Sequence, residues 1–269
     1  MSTKVVIAGA AGRMGQALVR CSRKIDGIEL VGATEYSEHP ALGEDVGEIA
    51  GIGALGVKLT DNISEALADA DVIIDFTVHT AVPVNIRTAA NAGRAAVIGT
   101  TALTPEETAV VQQAADKVPI VWAPNMSLGV NLLFAMSKRA AQVLGSGYRV
   151  VIEDTHHIHK LDAPSGTALR LGEKVAEGAG VRFEDVYIHD EGGRQDSYPE
   201  GSIPIRSFRE GEVVGDHTVS FENEGERIEL THHAWSRDAF AMGALHAAKW
   251  VASKRPRIYD MQDVLGLSE

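Results

Sequence analysis

Apolar residues in the first half of the chain fall in short unbroken runs, each followed by a stretch with helical spacing. Residues 4–8 form one such run, stopped by Gly9, which suits a strand buried on both faces. Residues 13–24 then read as a helix with Met14, Leu18 and Cys21 on one face. Further strands are predicted over 28–34, 72–76, 96–98 and 120–123, with helices over 63–68 (capped by Asn62) and 84–92 (stopped by Gly93). Thr104, Pro105 and Glu107 form a capping-box helix start. Strands alternating with helices over about 125 residues argue for a parallel sheet covered on both faces.

Beyond Asn125 the texture changes. Residues 131–144 read as a long helix, 148–154 as a strand and 164–179 as a helix. From 186 to 230 the signals are strand-like and broken by glycine turns, which predicts an antiparallel or mixed sheet. Residues 238–253 are helical again, with a small-residue face of Ala241, Gly243, Ala244, Ala247 and Ala248. The expected fold class is α/β: a Rossmann-type parallel-sheet domain over 1–126 completed by 238–269, and an α+β domain with a mixed sheet over 127–237.

Composition narrows the function. The chain has 269 residues, 45% hydrophobic and 23% charged, as a folded globular protein has. A net charge of −12 disfavours nonspecific nucleic-acid binding. No apolar run approaches the length of a membrane span, and the amino terminus lacks the pattern of an export signal. With one cysteine, Cys21, no intramolecular disulfide can form, so a cytoplasmic location is expected.

Gly9, Ala10, Ala11, Gly12, Arg13, Met14 and Gly15 lie between a predicted strand and a predicted helix. Glycines there permit a tight turn, and the helix start offers unpaired N–H groups to a pyrophosphate. The first two glycines are three apart rather than two, a variant of the dinucleotide fingerprint, and a purely structural turn is the competing reading. Glu35 closes the second strand 20 residues after Gly15, where an acid accepts hydrogen bonds from a ribose. Gly99, Thr100 and Thr101, and likewise Ala123, Pro124 and Asn125, follow later strands and belong on the same sheet edge.

The densest polar stretch runs from Glu153 to Thr167 and holds His156, His157 and His159. Three histidines so close suggest a metal, but Lys160 beside them opposes one and no cysteine is near. A histidine-rich surface loop without a role is a second reading. A third divides the labour. One imidazole acts as general acid, Lys160 stabilises negative charge, and the Ser165–Gly166–Thr167 helix start binds a carboxylate.

These segments also carry a resemblance. Residues 9–15, Asp75-Phe76-Thr77, 97–101, 125–131, the 153–167 run, Gly215-Asp216-His217-Thr218 and 260–265 resemble the 4-hydroxy-tetrahydrodipicolinate reductase family nearly end to end. The resemblance implies NADH or NADPH as cofactor, bound at Gly9 to Met14, Glu35, Gly99 to Thr101 and Ala123 to Met126. It implies His156 as proton donor/acceptor, Lys160 as second catalytic residue, and His157, Gly166 and Thr167 as substrate-binding positions; no metal is expected. A small dicarboxylate substrate and a homotetramer, without nucleic-acid or membrane partners, complete the implied picture. Tyr36 stands where some members carry an arginine suited to a 2′-phosphate, so NADH is expected to serve at least as well as NADPH. An amino-acid dehydrogenase of the same plan and a non-catalytic dinucleotide sensor are the rival readings.

Overall fold

The computed structural model describes residues 2–195 and 197–268, and divides into two compact units, Met1–Leu128 with Arg237–Glu269, and Gly129–Ser236. In chain order the first unit begins with β1 (Thr3–Ala8), α1 (Arg13–Ser22), β2 (Ile28–Thr34), α2 (Val46–Ile49), β3 (Leu59–Thr60) and α3 (Ile63–Ala66). It continues through β4 (Val72–Asp75), α4 (Val82–Asn91), β5 (Ala95–Ile98), α5 (Pro105–Ala115) and β6 (Pro119–Trp122). The second unit holds most of α6 (Leu128–Leu144), then β7 (Arg149–His156), α7 (Gly166–Ala179), α8 (Phe183–Val186), β8 (Tyr187–Glu191), β9 (Ile203–Arg209), β10 (Gly215–Glu222) and β11 (Arg227–Ala234). The chain returns to the first unit with α9 (Asp238–Val251), β12 (Arg257–Tyr259) and α10 (Met261–Leu265).

The first unit is a seven-stranded, all-parallel sheet in the order β12-β6-β5-β4-β1-β2-β3. Successive side chains of a buried strand feed opposite layers, so Val5 and Ile7 join one core while Val6 and Ala8 join the other. The chain winds one way from β1 through β2 and the other way from β4 onward. That reversal leaves a crevice at the carboxyl ends of β1 and β4. Helix α9 lies against β4, β5, β6 and α1. Its small face permits that approach: a Cβ on Gly243 would sit 1.7 Å from the Met126 carbonyl oxygen.

Two strands escape the periodicity reading, which counted five. β3 has two residues and β12 three, too short for any alternation to declare itself. The capping box at Thr104 and Glu107 forms as the residues predict, as does the Asn62 cap. Helix α7 starts at Gly166 rather than at 164, because Ser165 is its cap and accepts the Ala168 N–H.

The second unit is a mixed five-stranded sheet, β11-β10-β7-β9-β8, with β7 and β8 parallel to β9 and β10 antiparallel to β7 and β11. Ile152, Ile205, Val219 and Phe221 pack with Leu171 and Val175 of α7 and with Leu133 and Phe134 of α6. Each such apolar side chain contributes about 1.5–3 kcal/mol by leaving water. Strand β7 runs to His156, two residues beyond the predicted end at 154, because His156 continues the pairing with Arg209 of β9.

Candidate active site

In the first unit the glycine turn is built by backbone contacts. Gly9 has φ +70°, its N–H donates to Thr34, and the Gly12 N–H donates to the Gly9 carbonyl. Gly15 allows the helix to rest on the turn, since a Cβ there would lie 2.1 Å from the Gly9 oxygen. Gly12 caps α1 without a side chain, and no acid occupies the first turn. The helix start thus keeps its N–H groups and its positive dipole end for an anion. The Glu35 carboxylate accepts the Ala11 N–H at 3.2 Å, which ties the ribose-type acid to the turn. Arg13 is exposed and Met14 half-buried at the head of the helix.

The neighbouring strand ends converge on the same edge. Asp75 is fully buried at the end of β4, and its carboxylate accepts the Thr77 N–H and hydroxyl and the Asn85 amide. Burial pushes its carboxyl up, although the donors from Thr77 and Asn85 oppose that. The loop it shapes carries Thr77, whose methyl would lie 3.1 Å from a Cβ on Gly9 and whose carbonyl accepts the Thr100 hydroxyl. The Phe76 ring lies 2.1 Å from the Cβ position of Gly99, so a side chain there would displace the ring. Thr101 is exposed beside Thr100, and Asn125 accepts the Ser127 N–H after β6. Ala10, Ala123 and Met126 are buried and Pro124 is exposed. A dinucleotide fits this edge: glycines, bare helix N–H groups and one acid.

In the second unit a buried polar cluster sits at the end of β7. Strand alternation points Ile152, Asp154 and His156 to one face, and all three are buried. Across the sheet Asp154 sits opposite His217 on β10 and Ser207 on β9. The His156 Nδ1 lies 3.0 Å from Asp154 Oδ1 in a bent contact, and the His217 Nε2 lies 3.3 Å from the same oxygen. Asp154 Oδ2 accepts the Ser165 N–H at 2.9 Å, with Arg209 3.9 Å away. Burial alone would raise the Asp154 carboxyl. The contacts from His156, His217 and Ser165 outweigh it and hold the group well below the usual carboxylate range. Burial pushes His217 below the ordinary imidazole value, against the pull of Asp154.

The three consecutive-looking histidines separate. His156 is buried, His157 half-buried, and His159 exposed beside Glu212 at 3.7 Å. Lys160 is not an isolated cation: its Nζ lies 2.7 and 2.8 Å from the Asp162 oxygens, and the ammonium lowers that carboxyl. The loop is pinned by Arg209, which donates to the Lys160 and Asp162 carbonyls. Gly166 and Thr167 open α7, and nothing lies within 4 Å of a Cβ on Gly166, so packing does not demand glycine there.

Sequence reasoning missed Asp154, His217 and Arg209 as site residues. Asp154 lies within the polar run at 153–167 and His217 within the 215–218 segment, but the pattern gives neither a role of its own. Asp154, His156 and His217 bring one ligand atom each within 4.8 Å of one another, among the described residues the group with metal-ligand geometry. Those atoms already face each other, and Arg209 supplies a cation beside the carboxylate.

Models of known families cover nearly all of this chain. Residues 3–126 match dihydrodipicolinate reductase, N-terminus, and residues 129–265 match dihydrodipicolinate reductase, C-terminus. A 4-hydroxy-tetrahydrodipicolinate reductase of Anaeromyxobacter dehalogenans is 51% identical, over 98% of both chains. One of Syntrophotalea carbinolica is 45% identical, over 98% of this chain and 99% of that one. Among solved structures, dipicolinate-bound dihydrodipicolinate reductase from Paenisporosarcina sp. TG-14 shares the fold at TM-score 0.77 and 24% identity, over 98% of this chain and 99% of that one. An amine dehydrogenase from Mycobacterium smegmatis shares it more distantly, with TM-score 0.64 and 15% identity over 96% and 95% of the two chains. With both halves matched and full-length relatives near half identity, the chain belongs to the dihydrodipicolinate reductase family.

Proposed function

We propose that the chain catalyses the NAD(P)H-dependent reduction of 4-hydroxy-tetrahydrodipicolinate to tetrahydrodipicolinate, with loss of water, in diaminopimelate and lysine biosynthesis. Residues 1–126 with 238–269 form the dinucleotide-binding domain, and 127–237 the substrate-binding and oligomerisation domain. When bound, the reduced nicotinamide supplies a hydride. Gly9 to Met14 hold the pyrophosphate, Glu35 the ribose, and Gly99 to Thr101 with Ala123 to Met126 the remaining wall. Ala10, Ala123 and Met126, being buried, offer main chain.

His156 is the general acid. Hydride addition to a conjugated imine leaves enamine-like charge that needs a proton, and an imidazole donates one near neutrality. Lys160 stabilises charge on the diacid, exchanging its present partner Asp162 for a substrate carboxylate. The N–H groups at Gly166 and Thr167 receive a carboxylate, and His157 is a further substrate-binding position. The observation that carries this reading is a buried ring 3.0 Å from a buried carboxylate at a strand end. Its other nitrogen faces Gly215, whose missing Cβ would lie 3.0 Å from Nε2.

The test is His156→Gln, assayed at 340 nm with the cyclic substrate and each cofactor. Turnover should fall about 10²–10⁴-fold with cofactor binding intact. Near-normal turnover removes His156 from the mechanism, and oxidation of an amino acid in preference to imine reduction favours the dehydrogenase reading. Tyr36, 61% exposed and without a guanidinium to grip a 2′-phosphate, supports NADH at least equal to NADPH. The edge strand β11, exposed over most of its length, supports assembly into the homotetramer that the resemblance implies, and light scattering tests it. The buried Cys21 thiol and the biosynthetic reaction support a cytoplasmic location.

A further inference from the structure

We propose that Asp154 is the positioning residue of this site, a single buried carboxylate that sets the His156 ring and the start of α7 in register. The proposal rests on His156 being the general acid.

The carboxylate has two oxygens and spends them on different parts of the site. Oδ1 meets His156 Nδ1 at 3.0 Å and His217 Nε2 at 3.3 Å. Oδ2 accepts the Ser165 N–H at 2.9 Å. Ser165 in turn caps α7 through Ala168 at 3.1 Å, and its Oγ lies 3.2 Å from His217 Nε2. One group therefore links the proton donor to the helix start that receives the diacid. The His156 Nδ1 lies beside the carboxylate but off the hydrogen-bond line, so the pair acts as a close ion pair that leaves Nε2 for proton exchange, the role the orienting acid has in a catalytic triad. A Cβ at Gly215 would lie 3.0 Å from that nitrogen, so the glycine keeps a side chain from crowding it.

The charged neighbours are consistent with an ionised Asp154. Arg209 approaches from β9 at 3.9 Å, His217 comes from β10 with Asp216 adjacent to it, and the His232 ring on β11 lies 6.4 Å behind His217. Lys160 and Asp162 join through the Arg209 contacts to their carbonyls. The interactions that hold the Asp154 carboxyl low keep it charged at working pH.

Asp154→Asn keeps the shape and removes the charge. We expect kcat to fall about 10–100-fold, less than for loss of the acid itself, with the NADH dissociation constant unchanged. Without the adjacent negative charge an imidazolium gives up its proton more readily, so the alkaline limb of the pH–kcat profile should move to lower pH. Binding of dipicolinate, used as a diacid probe, should weaken, and Asp154→Glu should return the limb toward its original position. In a His156→Gln background, Asp154→Asn should add little, because it acts through that ring. A purely structural role would leave the limb in place and let the two losses multiply; either result overturns the proposal. Nitrogen-15 histidine spectra of the unaltered protein decide the matter even where the variant does not fold. In spectra taken above the pH at which the ring gives up its Nε2 proton, a His156 that keeps its remaining proton on Nδ1 supports the proposal, and one that keeps it on Nε2 overturns it. Normal turnover in His156→Gln would instead overturn the general-acid reading, and this proposal with it. An impaired His156→Gln beside an unimpaired Asp154→Asn overturns this proposal alone.

Discussion

Gly15→Ala adds one methyl group at the point where α1 rests on the glycine turn. The new Cβ would lie 2.1 Å from the Gly9 carbonyl oxygen, 2.5 Å from the Ala10 Cα and 2.7 Å from the Ala10 carbonyl carbon. All three are main-chain atoms, so no side-chain rotation relieves the contact. Ordinary carbon contacts need about 3.5 Å, and the helix start and turn must therefore part by roughly 1 Å. Overpacking of that kind costs about 1–3 kcal/mol, a fall in Tm of several degrees for a unit of this size. The same displacement takes helix N–H groups out of reach of a pyrophosphate. Losing one hydrogen bond to a charged group costs about 1.5–3 kcal/mol, or about 10- to 100-fold in NADH affinity. Thermal unfolding and quenching of NADH fluorescence measure the two effects. Gly166→Ala is the matched control: with nothing within 4 Å of its Cβ, it should leave Tm unchanged. Wild-type Tm and NADH affinity in Gly15→Ala would refute the account of the turn.

Acid should weaken the second unit in two steps. Burial holds the folded His217 below the ordinary imidazole value, so the unfolded chain takes up a proton first and urea stability declines as pH drops below about 6.5. Asp154, depressed when folded, contributes stability that is present above about pH 3.9 and is lost as pH falls toward its folded value. Glu177, lowered to about 2 by Lys174 and Lys138, acts in the same sense by less than about 1 kcal/mol because it is half exposed. Flat stability between pH 7 and pH 5 would contradict the first step. Cys21, pushed up to about 11 by burial with Asp238 adding, should resist a disulfide reagent at pH 8 until the protein is denatured. Overnight chelator treatment should leave kcat unaltered, since Asp154, His156 and His217 already engage one another; loss of activity restored by zinc would show that they hold a metal.

Much of the first unit was legible because buried parallel strands announce themselves. The apolar run at 28–34 becomes β2 over the same residues, and the small face of 238–253 becomes the side of α9 that rests on the Met126 backbone. The Thr104 capping box needed only local chemistry. What failed was non-local. β12 spans three residues between charged and proline neighbours, and joins the sheet by pairing with β6. Arg209 and His217 reach the site through β9 and β10, and Ser165 and His217 are 52 positions apart. No periodicity within a window carries such a pairing. The charge partner of Lys160 was two residues away and still missed, because an Asp next to a Lys reads as ordinary solvated surface.

Register explains why the chemistry sits where it does. On one face of the second sheet, Ile152 lies between Ile205 and Val219, a row that belongs to the core under α7. Two residues along β7, Asp154 lies between Ser207 and His217, a buried polar row. Two further, His156 pairs with Arg209 and approaches the bare backbone of Gly215. Each step of the pleat thus moves one row from packed hydrocarbon toward the sheet's end. A carboxylate in the middle row cannot be hydrated, so it must be matched by donors, and these come from three elements whose spacing the core fixes. Those contacts tie the middle row to β10 and to the start of α7, one row short of the histidine beyond it. Moving the same His156 one residue earlier would turn it to the opposite face, away from Asp154. The apolar core and the His156 ring are therefore linked through the strand: the core sets the register, and the register sets where the ring lies.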